Sequence, residues 1–140
     1  MSFSQKIRKY AEKVKVGYDE AVGNSLLGVS RSIIMMTPVD EGRARGNWVA
    51  SLAGYSTATT ENTGANLSQV ESVTDGAAGS VFYLTNNLPY IGKLEFGGYP
   101  NPSSGEKTIN GFSTQAPQGM VRISIENFEK MLDDSAQKLK

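Results

Sequence analysis

The densest cluster of charge in this chain lies in its first half and contains two acids and two bases, Asp40, Glu41, Arg43 and Arg45. A pair of carboxylates can act as general acid and base or can hold a divalent cation. Aspartate also forms turns, and exposed carboxylates pair with neighbouring arginines. We favour the turn, and a magnesium-dependent nuclease using Asp40, Glu41 and Glu95 is the enzymatic alternative.

The chain contains no cysteine and no histidine. This excludes disulfides, a thiolate nucleophile, an imidazole base, and zinc or copper sites built from those residues. The Asp/Glu-x-Lys pairing common in magnesium-dependent nucleases occurs nowhere, and Lys107-Thr108 lacks the glycine pattern of a phosphate-binding loop. The sequence therefore predicts a non-enzymatic protein with no catalytic residue, no cofactor and no metal.

The length of 140 residues fits a single domain, 1–140, and the formal net charge is zero with 14 basic and 14 acidic side chains. Neutrality does not oppose self-association. A basic stretch near the start is interpreted as a solvated helix face rather than a nucleic-acid surface; it comprises Lys6, Arg8, Lys9, Lys13 and Lys15. With no apolar run near the roughly 18 residues of a membrane span and no signal sequence, we expect a soluble protein without a membrane partner.

The first third predicts one long helix, because apolar residues from Phe3 to Ile33 recur at spacings of three and four. Ser2 or Ser4 can cap its start, and Thr37-Pro38 ends it. Three glycines weaken this helix, and a break near Gly23 is as probable as an unbroken helix. Residues 47–52 predict a strand, with Trp48 in the core rather than at a contact.

Residues 54–80 differ from the rest, since small and polar residues dominate and three acids, Glu61, Glu71 and Asp75, occur without a base. We predict a long mobile loop or hairpin, with a weak strand at 67–73, that orders only against a neighbouring subunit. Resistance of the free protomer to proteolysis in this segment would contradict that prediction.

The second half predicts a strong strand at 80–85, a short helix at 90–96 ended by Gly97-Gly98, and an extended stretch at 112–116. A final helix at 119–139 should bury a face formed by Val121, Ile125, Phe128 and Leu132. The predicted fold is therefore α+β: a small antiparallel sheet packed against a long N-terminal helix and a C-terminal helix, with a loop or hairpin insertion.

Three segments carry a resemblance to a known family. They are Thr37-Pro-Val-Asp-Glu-Gly-Arg-Ala-Arg-Gly-Asn-Trp48, Leu88-Pro-Tyr-Ile-Gly-Lys-Leu-Glu-Phe-Gly-Gly98 and Gln115-Ala-Pro-Gln-Gly-Met-Val-Arg122. In order and spacing they resemble the tail-completion and tail-terminator (neck) proteins of long-tailed bacteriophages, which often have threonine where this chain has Glu41. We take as fold-defining Pro38, Asp40, Gly42, Trp48, Tyr90, Phe96, Gly97 and Pro117.

The resemblance implies a protomer that forms a ring, often of six subunits, on the tail axis. Such a ring terminates the tail tube and joins the tail to the head connector, so the expected partners are further copies, the tail-tube protein and the connector proteins. DNA would pass through the lumen without sequence-specific binding, in a virion neck assembled in the host cytoplasm. A head-side adaptor or stopper, a minor tail protein, and a small monomeric phage-encoded binding module are the alternatives.

Opposite charges on separate loops suit head-to-tail contact between subunits, in which each copy offers a different surface. The candidate contacts are Arg43, Arg45 and Glu95, together with the acidic Glu61, Glu71 and Asp75. Pairing of these charges within one protomer is the equal alternative, and Glu95 in particular can meet an arginine.

Overall fold

The computed structural model describes residues 2–38, 43–97, 108–109, 112–113, 116 and 118–138. Three of the predicted fold-defining positions, Asp40, Gly42 and Pro117, lie outside the described residues, as does Glu41. The elements in chain order are α1 (Phe3–Val14), α2 (Tyr18–Met36), α3 (Arg43–Gly46), β1 (Val49–Ser51), α4 (Leu67–Thr74), β2 (Tyr83–Thr85), α5 (Ile91–Phe96), β3 (Thr108–Ile109), β4 (Phe112–Ser113) and α6 (Val121–Lys138).

The predicted α+β class is confirmed. In the described part of the chain, β1 and β2 form an antiparallel pair with Ala50 opposite Leu84, and β3 and β4 form a second antiparallel pair. α1 packs against α2 and α6, whereas α4 packs against α2 and β1. The larger apolar core contains Trp48, Val70 and Met120, and a smaller one joins α1, α2 and α6 around Ile7 and Leu132.

The prediction of a single long N-terminal helix was wrong, and so was a break near Gly23. The chain forms two helices that separate between Val14 and Tyr18. Ser2 begins α1 with a capping box to Gln5, as its hydroxyl accepts from the Gln5 amide and the Gln5 side chain accepts from the Ser2 amide. Lys15 then adopts a left-handed conformation at φ 60°, which ends α1. The turn allows α1 to fold back and bury Ile7 against α2 and α6, which a continuous helix would prevent.

The predicted end of α2 at Thr37-Pro38 is confirmed, and a buried hydrogen-bond relay fixes it. The Thr37 hydroxyl donates to the Ile33 carbonyl at 2.7 Å and accepts from the Trp48 indole N–H at 2.9 Å. Trp48 is buried, as predicted, and its polar N–H therefore has a partner inside the core. This relay joins the last turn of α2 to the residue before β1.

The predicted strand at 67–73 was wrong, and so was a hairpin for 54–80, because residues 67–74 form α4. Leu67, Val70 and Val73 are spaced by three, so a helix directs them together into the core, where Val70 is fully buried. Gln69 faces β1, accepting from the Ala50 amide at 3.0 Å and donating to the Ala50 carbonyl at 2.7 Å. The predicted mobility of the segment stays a prediction.

The short helix and the C-terminal helix were predicted correctly. Gly97 ends α5 with a positive φ of 84°, a conformation that favours glycine. The predicted apolar face of α6 needs one correction: Ile125 is 43% exposed, and Ser124 lies in the interior instead. Ser124 is buried because its hydroxyl bonds with that of Ser32 on α2 at 2.8 Å.

Two glycines of α2 provide a matched test of its packing on α4. A Cβ at Gly23 would lie 2.8 Å from the Thr74 carbonyl oxygen, whereas one at Gly28 would meet nothing within 4 Å. Gly28→Ala should raise the free energy of unfolding by about 0.5–1 kcal/mol through helix propensity. Gly23→Ala should be at least about 1 kcal/mol less stable than Gly28→Ala, because α4 must move. Urea denaturation of both variants measures the difference, and equal stabilisation would contradict the close approach.

Candidate functional site

All three segments that carry the family resemblance contribute side chains to the larger core. Trp48 comes from the first segment, Leu88 and Leu94 come from the second, and Ala116 and Met120 come from the third. The second and third segments are also joined directly, because the Met120 amide donates to the Glu95 carboxylate at 2.7 Å. The segments therefore form one structural unit, and the candidate contact residues are positioned around it.

Arg45, a predicted subunit contact, is engaged at the C-terminal end of α2. Its Nε donates to the Thr37 carbonyl at 2.9 Å, and one terminal nitrogen donates to the Met35 carbonyl at 2.7 Å. The last carbonyls of a helix have no partner within the helix and carry the negative end of its dipole. Arg45 satisfies two carbonyls at this end, so its guanidinium stabilises the α2 terminus.

Arg43, another predicted contact, bonds to the segment that follows β1. Its Nε donates to the Thr60 carbonyl at 3.2 Å, and a terminal nitrogen lies 3.1 Å from the Glu61 carboxylate. Glu61 is largely exposed, so the ion pair contributes at most about 1 kcal/mol. Arg43 and Glu61 therefore pair within the protomer, which was the alternative to contact between subunits.

Asn47 fixes the same segment and was not singled out from the sequence. Its side-chain oxygen accepts from the Thr60 amide at 2.8 Å, and its nitrogen donates to the carbonyls of Thr60 and Arg43 at 2.9 and 2.8 Å. Asn47 is 1% exposed, so these bonds replace water entirely. One asparagine between a glycine and a tryptophan has no spacing pattern that could have predicted this role.

Glu95 is the most heavily bonded side chain at the site, and it is buried, with 6% of its surface exposed. One carboxylate oxygen accepts from the amides of Met120 and Val121 at 2.7 and 2.8 Å, and the other accepts from the Arg122 amide at 3.0 Å. These amides lie at the start of α6, where N–H groups lack partners and the dipole is positive. A carboxylate from α5 therefore caps α6.

The arginine expected to meet Glu95 is Arg122. Its Nε lies 2.9 Å from a Glu95 carboxylate oxygen, its terminal nitrogen donates to the Glu95 carbonyl, and its guanidinium stacks 4.7 Å from the Phe96 ring centre. Phe96 and Tyr90, taken as fold-defining apolar positions, lie at the surface, with Phe96 68% exposed. Phe96 packs against a cation there rather than against the core.

Burial by itself raises the pKa of the Glu95 carboxyl, since removal from water disfavours the charged form. The backbone hydrogen bonds from Met120, Arg122 and Val121, and then the Arg122 side chain, act in the opposite direction and leave the pKa below its ordinary value. Gly119 makes this arrangement possible, because a Cβ there would lie 2.4 Å from the Glu95 carbonyl oxygen.

Glu71 and Asp75, the remaining predicted contacts, line an open groove of about 880 Å³ between α2 and α4. Asp19 and Glu20, on the first turn of α2, contribute two further carboxylates, and the described lining includes no lysine or arginine. Glu71 and Asp75 are exposed, unlike Glu95. We call the groove lined by Asp19, Glu20, Glu71 and Asp75 the acidic groove.

Within the part of the chain that the structure covers, no group of three or more acidic side chains could hold a metal ion. None of the described helices is long and apolar enough to cross a bilayer. Glu95, part of the proposed nuclease set, has its oxygens directed at the α6 amides, while Asp40 and Glu41 lie outside the described residues.

Glu95→Gln should lower the free energy of unfolding by about 1–3 kcal/mol, because the neutral amide places an NH₂ group against the α6 N–H donors. Glu126→Gln on the exposed side of α6 is the matched control and should change stability by no more than about 0.5 kcal/mol. Urea denaturation at neutral pH measures both. Equal effects would show that the Glu95 charge contributes nothing to capping.

Comparison of the wild type with Glu95→Gln at different pH values isolates the contribution of the Glu95 charge to stability. Because the folded pKa of Glu95 is lowered, the unfolded chain takes up a proton first as the pH falls below about 4.5. The contribution is thus complete above that pH and is lost as the pH falls through the folded pKa. Wild-type stability should decrease more steeply on acidification than that of Glu95→Gln. Parallel pH curves would contradict the lowered pKa.

Comparison with family models, curated proteins and solved structures gives no match for this chain. The resemblance of the three segments to phage tail-completion proteins therefore stays a prediction. The geometry adds that all three segments share one core and that Glu95 of the second segment accepts hydrogen bonds from the third.

Proposed function

We propose that this chain is a non-enzymatic structural protein of the neck of a long-tailed phage. In this proposal it forms a ring, expected to contain six subunits, that terminates the tail tube and joins the tail to the head connector. Its partners are further copies of itself, the tail-tube protein and the connector proteins, and DNA passes through the lumen. The protein is then located in the virion after assembly in the host cytoplasm.

The observation that carries the proposal is the convergence of the three resembling segments. They are separated by 39 and 16 residues along the sequence, counting between their ends at 48, 88, 98 and 115, yet Trp48, Leu94 and Met120 share one core. Glu95 of the second segment caps the helix that the third segment begins. This is the arrangement expected if the three segments belong to one architecture.

The chemistry of the motif residues also favours a structural role. Arg45 bonds helix-terminal carbonyls and Glu95 bonds helix-terminal amides, so the charged groups closest to the core stabilise the protomer. A catalytic carboxylate must be free to reach substrate, whereas Glu95 is buried and bonded. A rigid protomer suits a protein whose function lies in the shape of its assembly.

Deletion of the gene from its phage should give full heads beside unjoined or overlong tails, because the tube then lacks both its terminator and its link to the connector. Electron microscopy of the lysate measures this, and a plasmid-borne wild-type copy is the control that restores infectious particles. Tails of normal length that remain unjoined would indicate a head-side adaptor or stopper. Normal virions would contradict the proposal and favour a monomeric binding module.

The pure protein should not hydrolyse DNA or RNA in the presence of magnesium, since no suitable group of acids occurs in the described residues. Incubation of plasmid DNA and single-stranded RNA with the protein tests this, with EDTA as the control. Cleavage that requires magnesium and is abolished by Asp40→Ala would establish the nuclease alternative.

A further inference from the structure

The β1–β2 sheet has two edges, and a side chain closes the one that belongs to β1. Gln69 of α4 accepts from the Ala50 amide at 3.0 Å and donates to the Ala50 carbonyl at 2.7 Å, so it takes the place of a further strand. The opposite edge belongs to β2. In the described part of the chain, no strand pairs with that edge. We call it the outer edge of β2.

The register of the sheet shows which backbone groups lie at the outer edge of β2. Residues directly opposite each other in an antiparallel pair direct their backbone groups either towards each other or both away. Ala50 lies opposite Leu84, and its amide and carbonyl point away from β2 towards Gln69. The Leu84 amide and carbonyl therefore point away from β1. Among the described residues, none bonds to either group.

The sequence of this edge suits pairing with another strand. The stretch from Ser80 to Asn87 contains no proline, no glycine and no charged residue. Natural edge strands usually carry a lysine, a proline or a bulge that prevents pairing with another chain. Val81 is 64% exposed, and Tyr83 carries on its ring the exposed Tyr55, at 6.2 Å between ring centres. The outer edge of β2 thus combines unpaired backbone groups with exposed apolar side chains, which are the features that strand addition uses.

We propose that the outer edge of β2 pairs antiparallel with the same edge of a second copy, about a two-fold axis at Leu84. The Leu84 residues of the two copies then face each other and exchange two N–H···O=C hydrogen bonds. The two short sheets become one sheet of four strands, which is more stable than a two-stranded sheet alone. This contact is isologous, since each copy offers the same surface, and it does not depend on the proposed ring.

The distribution of charge selects a second copy as the partner. In a two-fold contact, residues near the axis lie close to their own counterparts, so a charged residue there would meet a like charge. One residue in five of this chain is charged, yet residues 76–92 contain no charge, and neither do residues 46–60, which include β1. The surroundings of β2 therefore carry nothing that opposes self-pairing. They also lack the charge that would attract a charged partner.

The same register pairs side chains on the outer face of the sheet. Ala50 and Leu84 contact the core, so Tyr83 and Thr85 lie on the opposite face. Tyr83 of one copy then lies opposite Thr85 of the other, and this pair occurs once on each side of the axis. Pairs of an aromatic and a β-branched side chain stabilise antiparallel strands. Because no charge takes part, the contact should be nearly independent of salt.

Cysteine cross-linking tests the register directly, because the chain has no cysteine of its own. Opposite residues that are not hydrogen-bonded to each other have Cβ atoms about 4.5–5.5 Å apart, so a small movement permits a disulfide. A mixture of Tyr83→Cys and Thr85→Cys proteins should therefore form a disulfide between positions 83 and 85 several-fold faster than either protein alone. Thr59→Cys, at an exposed position away from the edge, is the matched control and should cross-link slowly.

Sedimentation velocity measures the dissociation constant of the pair. Thr85→Lys should raise it about tenfold or more, because two lysines then lie near the axis. Thr59→Lys adds the same charge at the control position and should leave it unchanged. Hydrogen exchange of the wild type needs no variant, and the Leu84 amide should exchange more slowly in concentrated than in dilute protein.

Three results would overturn the pairing. They are a wild type that stays monomeric at every concentration, a Leu84 amide that exchanges at one rate in dilute and concentrated protein, and cross-linking of the mixture no faster than the Thr59→Cys control. If Thr85→Lys prevents folding, hydrogen exchange of the wild type decides. None of these results bears on the neck function, which the gene deletion tests separately, and normal virions after deletion would leave the pairing intact.

Discussion

The capping of α6 by Glu95 is the interaction on which most of this fold depends. A helix begins with amides that lack internal partners, and here one carboxylate from α5 satisfies three of them. The cap fixes where α6 starts, and so fixes which of its residues face α1 and α2. Leu132 then closes the smaller core, and Ser124 reaches Ser32 on α2.

Buried polar side chains carry much of the remaining specificity. The strands of the β1–β2 pair contain three residues each, and a two-stranded sheet of that size is marginal by itself. Gln69 completes the hydrogen bonding of β1 at Ala50, Thr37 holds Trp48, and Asn47 holds Thr60. Each of these groups has a definite partner, so a shifted arrangement would leave buried polar atoms unpaired. The result is one defined arrangement of the protomer's elements.

Local signals predicted the elements well where propensity and packing agree. The α2 end at Thr37-Pro38 and the glycine end of α5 follow from rules that act within a few residues. The strand predicted at 80–85 forms only over Tyr83–Thr85. Local signals gave the wrong element where packing of the core determined the structure instead. The break falls at Lys15 because folding back buries Ile7. Residues 67–74 are helical because a helix, unlike a strand, brings Leu67, Val70 and Val73 to the same side. A segment of eight mixed polar and apolar residues has similar local propensities for strand and for helix, so packing against the core selects between the two.

By itself, the sequence determined the α+β class, the lack of cysteine and histidine chemistry, the core position of Trp48, and the expectation that Glu95 meets an arginine. Only the tertiary structure decided that this arginine is Arg122, that Glu95 is interior, and that Glu71 and Asp75 line a groove together with two acids of α2. The physical reason is distance along the chain. Residue types and near-neighbour spacing specify local geometry, whereas a contact across 27 residues exists only after the helices have packed.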